Sequence, residues 1–214
     1  MSTGAETSRA ARRSEKWRAR RDEIIDTSAQ VFARQGYHAT GIAELCEVNG
    51  FGKGAFYYYI GSKEELLGAI HDRVMDEVMA GADRVAGAGG APSTQLARLG
   101  AELLDVIHRY PAHVWVFLHE FRALPGERAE QFRVRRREYE RRVEAVLRAG
   151  IDAGELRDVD VWLTARAWLG MHNYTYLWLR SGGRVSARDV AQPFAEIFLR
   201  GIGRGDARDP VGST

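Results

Sequence analysis

The chain has 214 residues, of which 45% are hydrophobic and 28% charged, and a formal net charge of +2. That is enough apolar material for a core and argues against disorder as the global state. One cysteine, Cys46, excludes a disulfide framework and a cysteine-built metal site and fits a reducing cytosol. The basic N-terminus has no apolar targeting stretch behind it, and the longest uncharged apolar run near the middle, 114–118, is far too short to span a bilayer.

With only five prolines, and apolar residues recurring at spacings of three and four, the predicted class is all-α. Residues 1–14 are expected to be a disordered basic tail. A first helix follows over 15–35, with Ile24, Ile25, Ser28 and Phe32 on one stripe and Gly36 as its stop. Thr40 is placed to cap a short helix over 41–48, with Ile42, Leu45 and Cys46 facing inward. Asn49-Gly50 predicts a tight turn because both tolerate positive φ, and a second short helix follows over 52–58. Ser62 with Glu65 reads as a capping box opening a long helix over 63–85.

The glycine-rich stretch 87–92 reads as a connection. After it, Ser93 or Thr94 caps a helix that ends near 110, where Pro111 breaks it. Further helices are expected over 112–123, 127–151, 161–180 and 187–202, the last capped by Ser186 with Asp189. Residues 203–214 are expected to be a second disordered tail. The domains are then a three-helix head over 15–62 and a helical body over 63–202.

The charge is uneven along the chain. Residues 1–63 hold ten basic residues against seven acidic, and residues 1–21 alone hold seven against two. A basic end on a neutral body points to a polyanion bound by the N-terminal part. Two short helices joined by a glycine turn, with Arg18, Arg20 and Arg21 upstream, describe a helix-turn-helix. Its recognition helix would carry Lys53 toward a phosphate or a guanine edge. Gly52, Gly54 and Ala55 would allow close approach to the groove, and the Tyr57 and Tyr58 hydroxyls would donate to phosphates. These residues fit a glycine- and tyrosine-rich corner of an ordinary bundle as well.

The stretch Gly36-Tyr37-His38-Ala39-Thr40, Ile42 and the run Gly50-Phe51-Gly52-Lys53-Gly54-Ala55-Phe56-Tyr57-Tyr58-Tyr59-Ile60-Gly61-Ser62-Lys63-Glu64-Glu65-Leu66 resembles the signature of TetR-family repressors. The resemblance implies a cytoplasmic, nucleoid-associated homodimer that binds palindromic double-stranded operator DNA and is released by a small hydrophobic effector. It further implies phosphate contacts from Thr40 and Lys63, and backbone or base contacts from Tyr57 and Tyr58, with Lys53 at the groove. Gly52, Ala55 and Ile60 depart from the usual serine, threonine and phenylalanine. Base readout then leans on Lys53, Tyr57 and DNA shape.

In the body, residues 112–123 carry Trp115, Phe117, His119 and Phe121, and residues 161–180 carry Trp168, Met171, His172, Asn173 and Tyr176. An apolar tunnel between these two helices would suit an acyl chain. The tail pattern from Gly170-Met171-His172-Asn173 to Phe198-Leu199-Arg200-Gly201 resembles TetR-family regulators of fatty-acid or sterol degradation, which implies an acyl-coenzyme A effector. Arg133 and Arg137 are nominated for its phosphate end, although interleaved glutamates fit a salt-bridged surface better. Trp162, Trp178, Val190, Phe194, Ile197 and Phe198 are expected in a four-helix dimer interface.

Catalytic readings fail. His119-Glu120 lacks the second histidine at 123 that a zinc-protease helix needs, Gly50–Gly54 lacks the Walker lysine-serine or lysine-threonine, and Cys46 has no histidine nearby in sequence. No enzyme, cofactor, metal or membrane partner is expected. A multidrug sensor using Glu102, Asp105 or Glu120, and a ligand-independent architectural DNA-binding protein, remain as alternatives.

Overall fold

The computed structural model describes residues 3–180 and 182–204. Its helices are α1 (Thr3–Gln35), α2 (Ile42–Val48), α3 (Lys53–Tyr59), α4 (Lys63–Ala88), α5 (Pro92–Arg109), α6 (Pro111–His119), α7 (Gly126–Asp152), α8 (Val161–Asn173) and α9 (Ala187–Ile202). Two 3₁₀ turns, Phe121–Ala123 and Tyr174–Leu177, follow α6 and α8. Among the described residues there is no strand, only an isolated antiparallel bridge between Leu156 and Gly203.

Several predicted boundaries move. α1 begins at Thr3, so the described part of the expected N-terminal tail is helical; residues 205–214 of the C-terminal tail lie outside the described residues. Thr40 does not cap α2. Gly41 holds that position without a side-chain bond, and the Thr40 hydroxyl donates to the Gly36 carbonyl at 2.9 Å instead. Neither Ser93 nor Thr94 caps α5, because Pro92 already occupies its first turn, where no N–H is needed. Pro111 opens α6 for the same reason. α6 ends at His119 and tightens into a 3₁₀ turn, since Pro125 holds Leu124 extended at ψ 126°. α8 stops at Asn173, where the Thr175 hydroxyl takes the His172 carbonyl at 2.7 Å.

Two compact units result, Met1–Val74 with Ala112–Phe132, and Met75–Pro111 with Arg133–Thr214. The first unit exceeds the expected head over 15–62 because its core needs more than three helices. Ile24, Phe32, Leu45 and Phe56 pack with Leu66, Leu67 and Ile70 of α4, Val116 of α6 and Phe132 of α7. Burying such side chains contributes roughly 1.5–3 kcal/mol each.

In the second unit α5 buries Leu96, Leu99, Leu103 and Ile107, α7 buries Val143 and Leu147, and α8 buries Ala165 and Trp168. Leu104, Leu179, Ala187 and Val190 form a further cluster beside Phe194. The capping box at α9 forms as the sequence predicts: Ser186 Oγ accepts from the Asp189 N–H at 3.3 Å, while Asp189 accepts from the Ser186 N–H at 2.8 Å.

Candidate nucleic-acid interface

The turn between α2 and α3 depends on Gly50 alone, at φ +69°. Asn49 stays right-handed at φ −93° and does other work: its buried amide donates to the Leu45 carbonyl at 2.8 Å and closes the end of α2. Gly52 then caps α3 in extended conformation. The seven residues of α3 divide sharply. Phe56 is fully buried and, with Ile60 just after the helix, seats α3 in the core. Lys53 and Gly54 are exposed, as are Tyr57 at 53% and Tyr58 at 67%, while Ala55 is half-buried. A helix held by one buried phenylalanine thus presents a lysine and two phenols outward.

The remaining predicted DNA contacts are placed differently. Thr40 is 1% exposed, and its hydroxyl is engaged by Gly36 and by the Gln35 amide at 3.2 Å, so the fold closes it off from a phosphate. Lys63 lies with Nζ 4.2 Å over the Tyr37 ring, and partial burial lowers its pKa. Burial likewise raises the Tyr37 phenol, helped by the nearby Glu64 carboxylate. Ser62 Oγ accepts from the Glu65 N–H at 3.1 Å, so the predicted cap of α4 is present. Arg20 clasps the turn: Nη2 donates to the Asn49 carbonyl at 2.7 Å and Nη1 pairs with Glu23 at 2.5 Å. Arg21 is half-buried, and Arg18 falls about 160° around the helix from Arg20 at about 100° per residue.

Trp17 is a residue the sequence analysis missed. Its ring meets Tyr58 and Tyr59 at centroid distances of 6.5 and 5.9 Å. The signal was present, since Trp17 shares the stripe of Ile24 and Ser28 at i+7 and i+11.

The candidate effector residues divide between the two units. In the first, Trp115 stacks on His119 at 4.5 Å, and Phe117 and Phe121 pack on Phe132 at 5.1 and 6.0 Å. His71, also missed, lies among these rings, 5.1 Å from Phe132. Its Nδ1 is 2.9 Å from the Leu67 carbonyl and so carries the proton, which leaves Nε2 a buried acceptor without a partner. Burial lowers its pKa to about 4.

In the second unit Trp168 and His172 are buried together at 4.2 Å, with His172 Nδ1 donating to the Trp168 carbonyl at 2.8 Å. They border a narrow cleft with Leu96, Phe198 and Leu199 that has no room for a water molecule. Met171, Asn173 and Tyr176 are half-buried. Arg137 is engaged by Glu144 at 2.7 Å and Glu140 at 3.2 Å, so the salt-bridged surface describes it better than a phosphate site does. Arg133 is exposed.

Of the expected interface residues, Trp162 (55%), Trp178 (44%) and Ile197 (66%) are exposed, joined by Leu163, Tyr174 and Leu177. Val190 is not among them, because it is buried against Leu104 and Leu179. Phe194 packs beside that cluster, and half-buried Phe198 borders the cleft.

Comparison with known proteins agrees with this geometry. Residues 24–70 match the bacterial regulatory proteins of the tetR family, and residues 89–202 match the tetracyclin repressor-like C-terminal domain. The HTH-type transcriptional repressor KstR2 of Mycobacterium tuberculosis is 27% identical over 186 residues, covering 86% of this chain and 93% of its own length. The structure of that ketosteroid transcriptional regulator aligns with a TM-score of 0.82 at 26% identity, over 87% of this chain and 96% of the other. The TetR family regulator PfmR of Thermus thermophilus gives a TM-score of 0.78 at 29% identity, over 86% and 99%. AibR, in a complex with isovaleryl coenzyme A and operator DNA, gives 0.75 at 26% identity, over 83% and 97%.

Proposed function

Because the chain belongs to the TetR family of bacterial DNA-binding transcriptional regulators, we propose that it is a homodimeric repressor, released from a palindromic operator by an acyl-coenzyme A thioester. The observation that carries the DNA-binding half is the division of α3, with Phe56 locked in the core while Lys53, Tyr57 and Tyr58 face outward. Inserted into a major groove, such a helix brings a cation and two hydroxyl donors to phosphates and base edges. A dimer would place two copies of α3 in grooves ~34–36 Å apart. The exposed apolar residues Trp162, Trp178 and Ile197 are the surface on which a second copy would sit.

The effector class is supported by the relative AibR, whose structure holds isovaleryl coenzyme A; because that structure holds operator DNA at the same time, it bears on the class of ligand and not on release. Release would work as a population shift: the ligand prefers a body conformation that sets the two heads at the wrong separation. Arg133, exposed on α7, stays the nominee for the coenzyme A phosphates. No helix among the described residues is long and apolar enough to cross a membrane; the proposed site of action is the cytoplasm, on the nucleoid, because that is where a regulator of this family meets operator DNA.

Fluorescence anisotropy tests both halves. The protein is bound to the DNA fragment upstream of its own gene, and acyl-coenzyme A thioesters are titrated against free coenzyme A and free fatty acids. Release by one thioester class alone supports the reading. Tight binding with no response to any thioester removes the effector and turns the search to cationic drugs or to a ligand-independent architectural role.

A further inference from the structure

Arg13, Lys16, Trp17 and Arg20 occupy positions i, i+3, i+4 and i+7 of α1 and therefore share one side of that helix. Two contacts fix where this side looks. Trp17 sets its ring against Tyr58 and Tyr59 of α3. Arg20 donates to the carbonyl of Asn49 and lies 5.8 Å over the Phe51 ring, on the turn just before α3. The side of α1 that carries Arg13 and Lys16 is thus the one that meets the recognition helix. Both residues are exposed there, and the helix backbone continues to Thr3.

We propose that the N-terminal turns of α1 form a phosphate rail, in which Arg13 and Lys16 track the DNA backbone outward from the groove that α3 enters. The inference rests on the DNA-binding reading and extends it to a contact surface outside the helix-turn-helix. Charge complementarity names the occupant, since residues 1–21 carry seven basic residues against two acidic. A merely solubilising tail needs neither a continuous helix nor a tryptophan that fixes its direction. A rigid rail holds its charges ready before DNA arrives, which lowers the ordering cost of binding. From Arg20 to Arg13 the helix rises about 10 Å.

The test measures the salt dependence of binding and the hydroxyl-radical footprint for the wild type, Arg13→Gln/Lys16→Gln and the second-unit control Arg148→Gln. The probes are the duplex upstream of the chain's own gene and a duplex of unrelated sequence. Thermal melts check that each variant is folded. Removing two phosphate contacts from each protomer, four per dimer, should reduce the magnitude of the slope of log K against log salt by about 3.6 on both duplexes. The footprint should shorten at each outer edge. An unchanged slope, an unchanged footprint, or an equal loss in Arg148→Gln overturns the rail while leaving the helix-turn-helix contact standing. A wild type that binds no duplex overturns the DNA-binding reading and the rail with it.

Discussion

Gly100 of α5 offers bare backbone to the ring of His172 on α8. A Cβ built at position 100 would lie 2.5 Å from His172 Nε2 and 3.3 Å from two of its ring carbons. The ring has no room to yield, being buried against Trp168 and tied through Nδ1 to the Trp168 carbonyl. Gly100→Ala would ordinarily help a helix interior by about 1 kcal/mol. Here the clash should reverse the sign, for a net loss of about 1–2 kcal/mol by overpacking. Urea denaturation of Gly100→Ala and of Gly100→Ala/His172→Ala measures this. The second change should recover part of the clash, and a Gly100→Ala more stable than wild type contradicts the close approach.

His71 and His172 are held neutral by burial, each with a pKa lowered to about 4, against about 6.5 when exposed. Below pH 6.5 the unfolded chain binds protons that the folded chain does not. The contribution of each ring is therefore complete above pH 6.5 and lost as the pH falls toward 4. From pH 6.5 to 5 each should reduce stability by at most about 2 kcal/mol. Folding free energies measured across that range for wild type and His71→Phe should diverge, with the variant falling less steeply. Parallel curves would mean that His71 is not kept neutral.

Phe56 and Tyr58 sit two residues apart on α3 and should fail in opposite ways. Phe56→Ala empties a fully buried site and should cost about 3–5 kcal/mol of stability, with DNA binding lost in consequence. Tyr58→Phe removes only an exposed hydroxyl and should leave the melting temperature unchanged. DNA affinity should fall by about 1 kcal/mol, a factor near five. Melting curves beside anisotropy titrations separate the two, and a destabilised Tyr58→Phe would show that its hydroxyl serves the fold.

Ile197 is 66% exposed on α9. If the chain pairs as proposed, Ile197→Glu should leave the protomer folded and shift it from dimer to monomer in sedimentation, with operator affinity falling alongside. Exposure makes the charge harmless to the isolated chain and costly only where a second copy would desolvate it. A variant that sediments as the wild type does would move the dimer surface elsewhere.

The first unit was largely legible because its signals are local. Gly50 and the Ser62 cap of α4 each act within a few residues, where backbone geometry decides the outcome. The same is true of the box formed by Ser186 and Asp189. Thr40 shows where local reasoning fails. Its position suits a cap, yet the loop after α1 folds back and delivers its hydroxyl to the Gly36 carbonyl. Asn49 is similar, fitted for a left-handed turn but drawn into closing α2. A short polar side chain has several partners within reach, and the fold selects among them.

The sequence by itself determined an all-helical chain with a basic N-terminal part, because periodicity, capping and the glycine turn are properties of neighbouring residues; the DNA-binding reading came from the family resemblance of residues 36–66. Only the tertiary structure decided that Leu66, Ile70, Val116 and Phe132 complete the core of that part. It likewise decided that Val190 belongs to the core, that Arg20 and Arg137 are committed to internal partners, and that Gly100 makes room for His172. Burial and pairing of this kind depend on which distant helix arrives opposite a residue. One helical period places Val190 and Ile197 on the same stripe, and packing against Leu104 and Leu179 buries the one while leaving the other exposed.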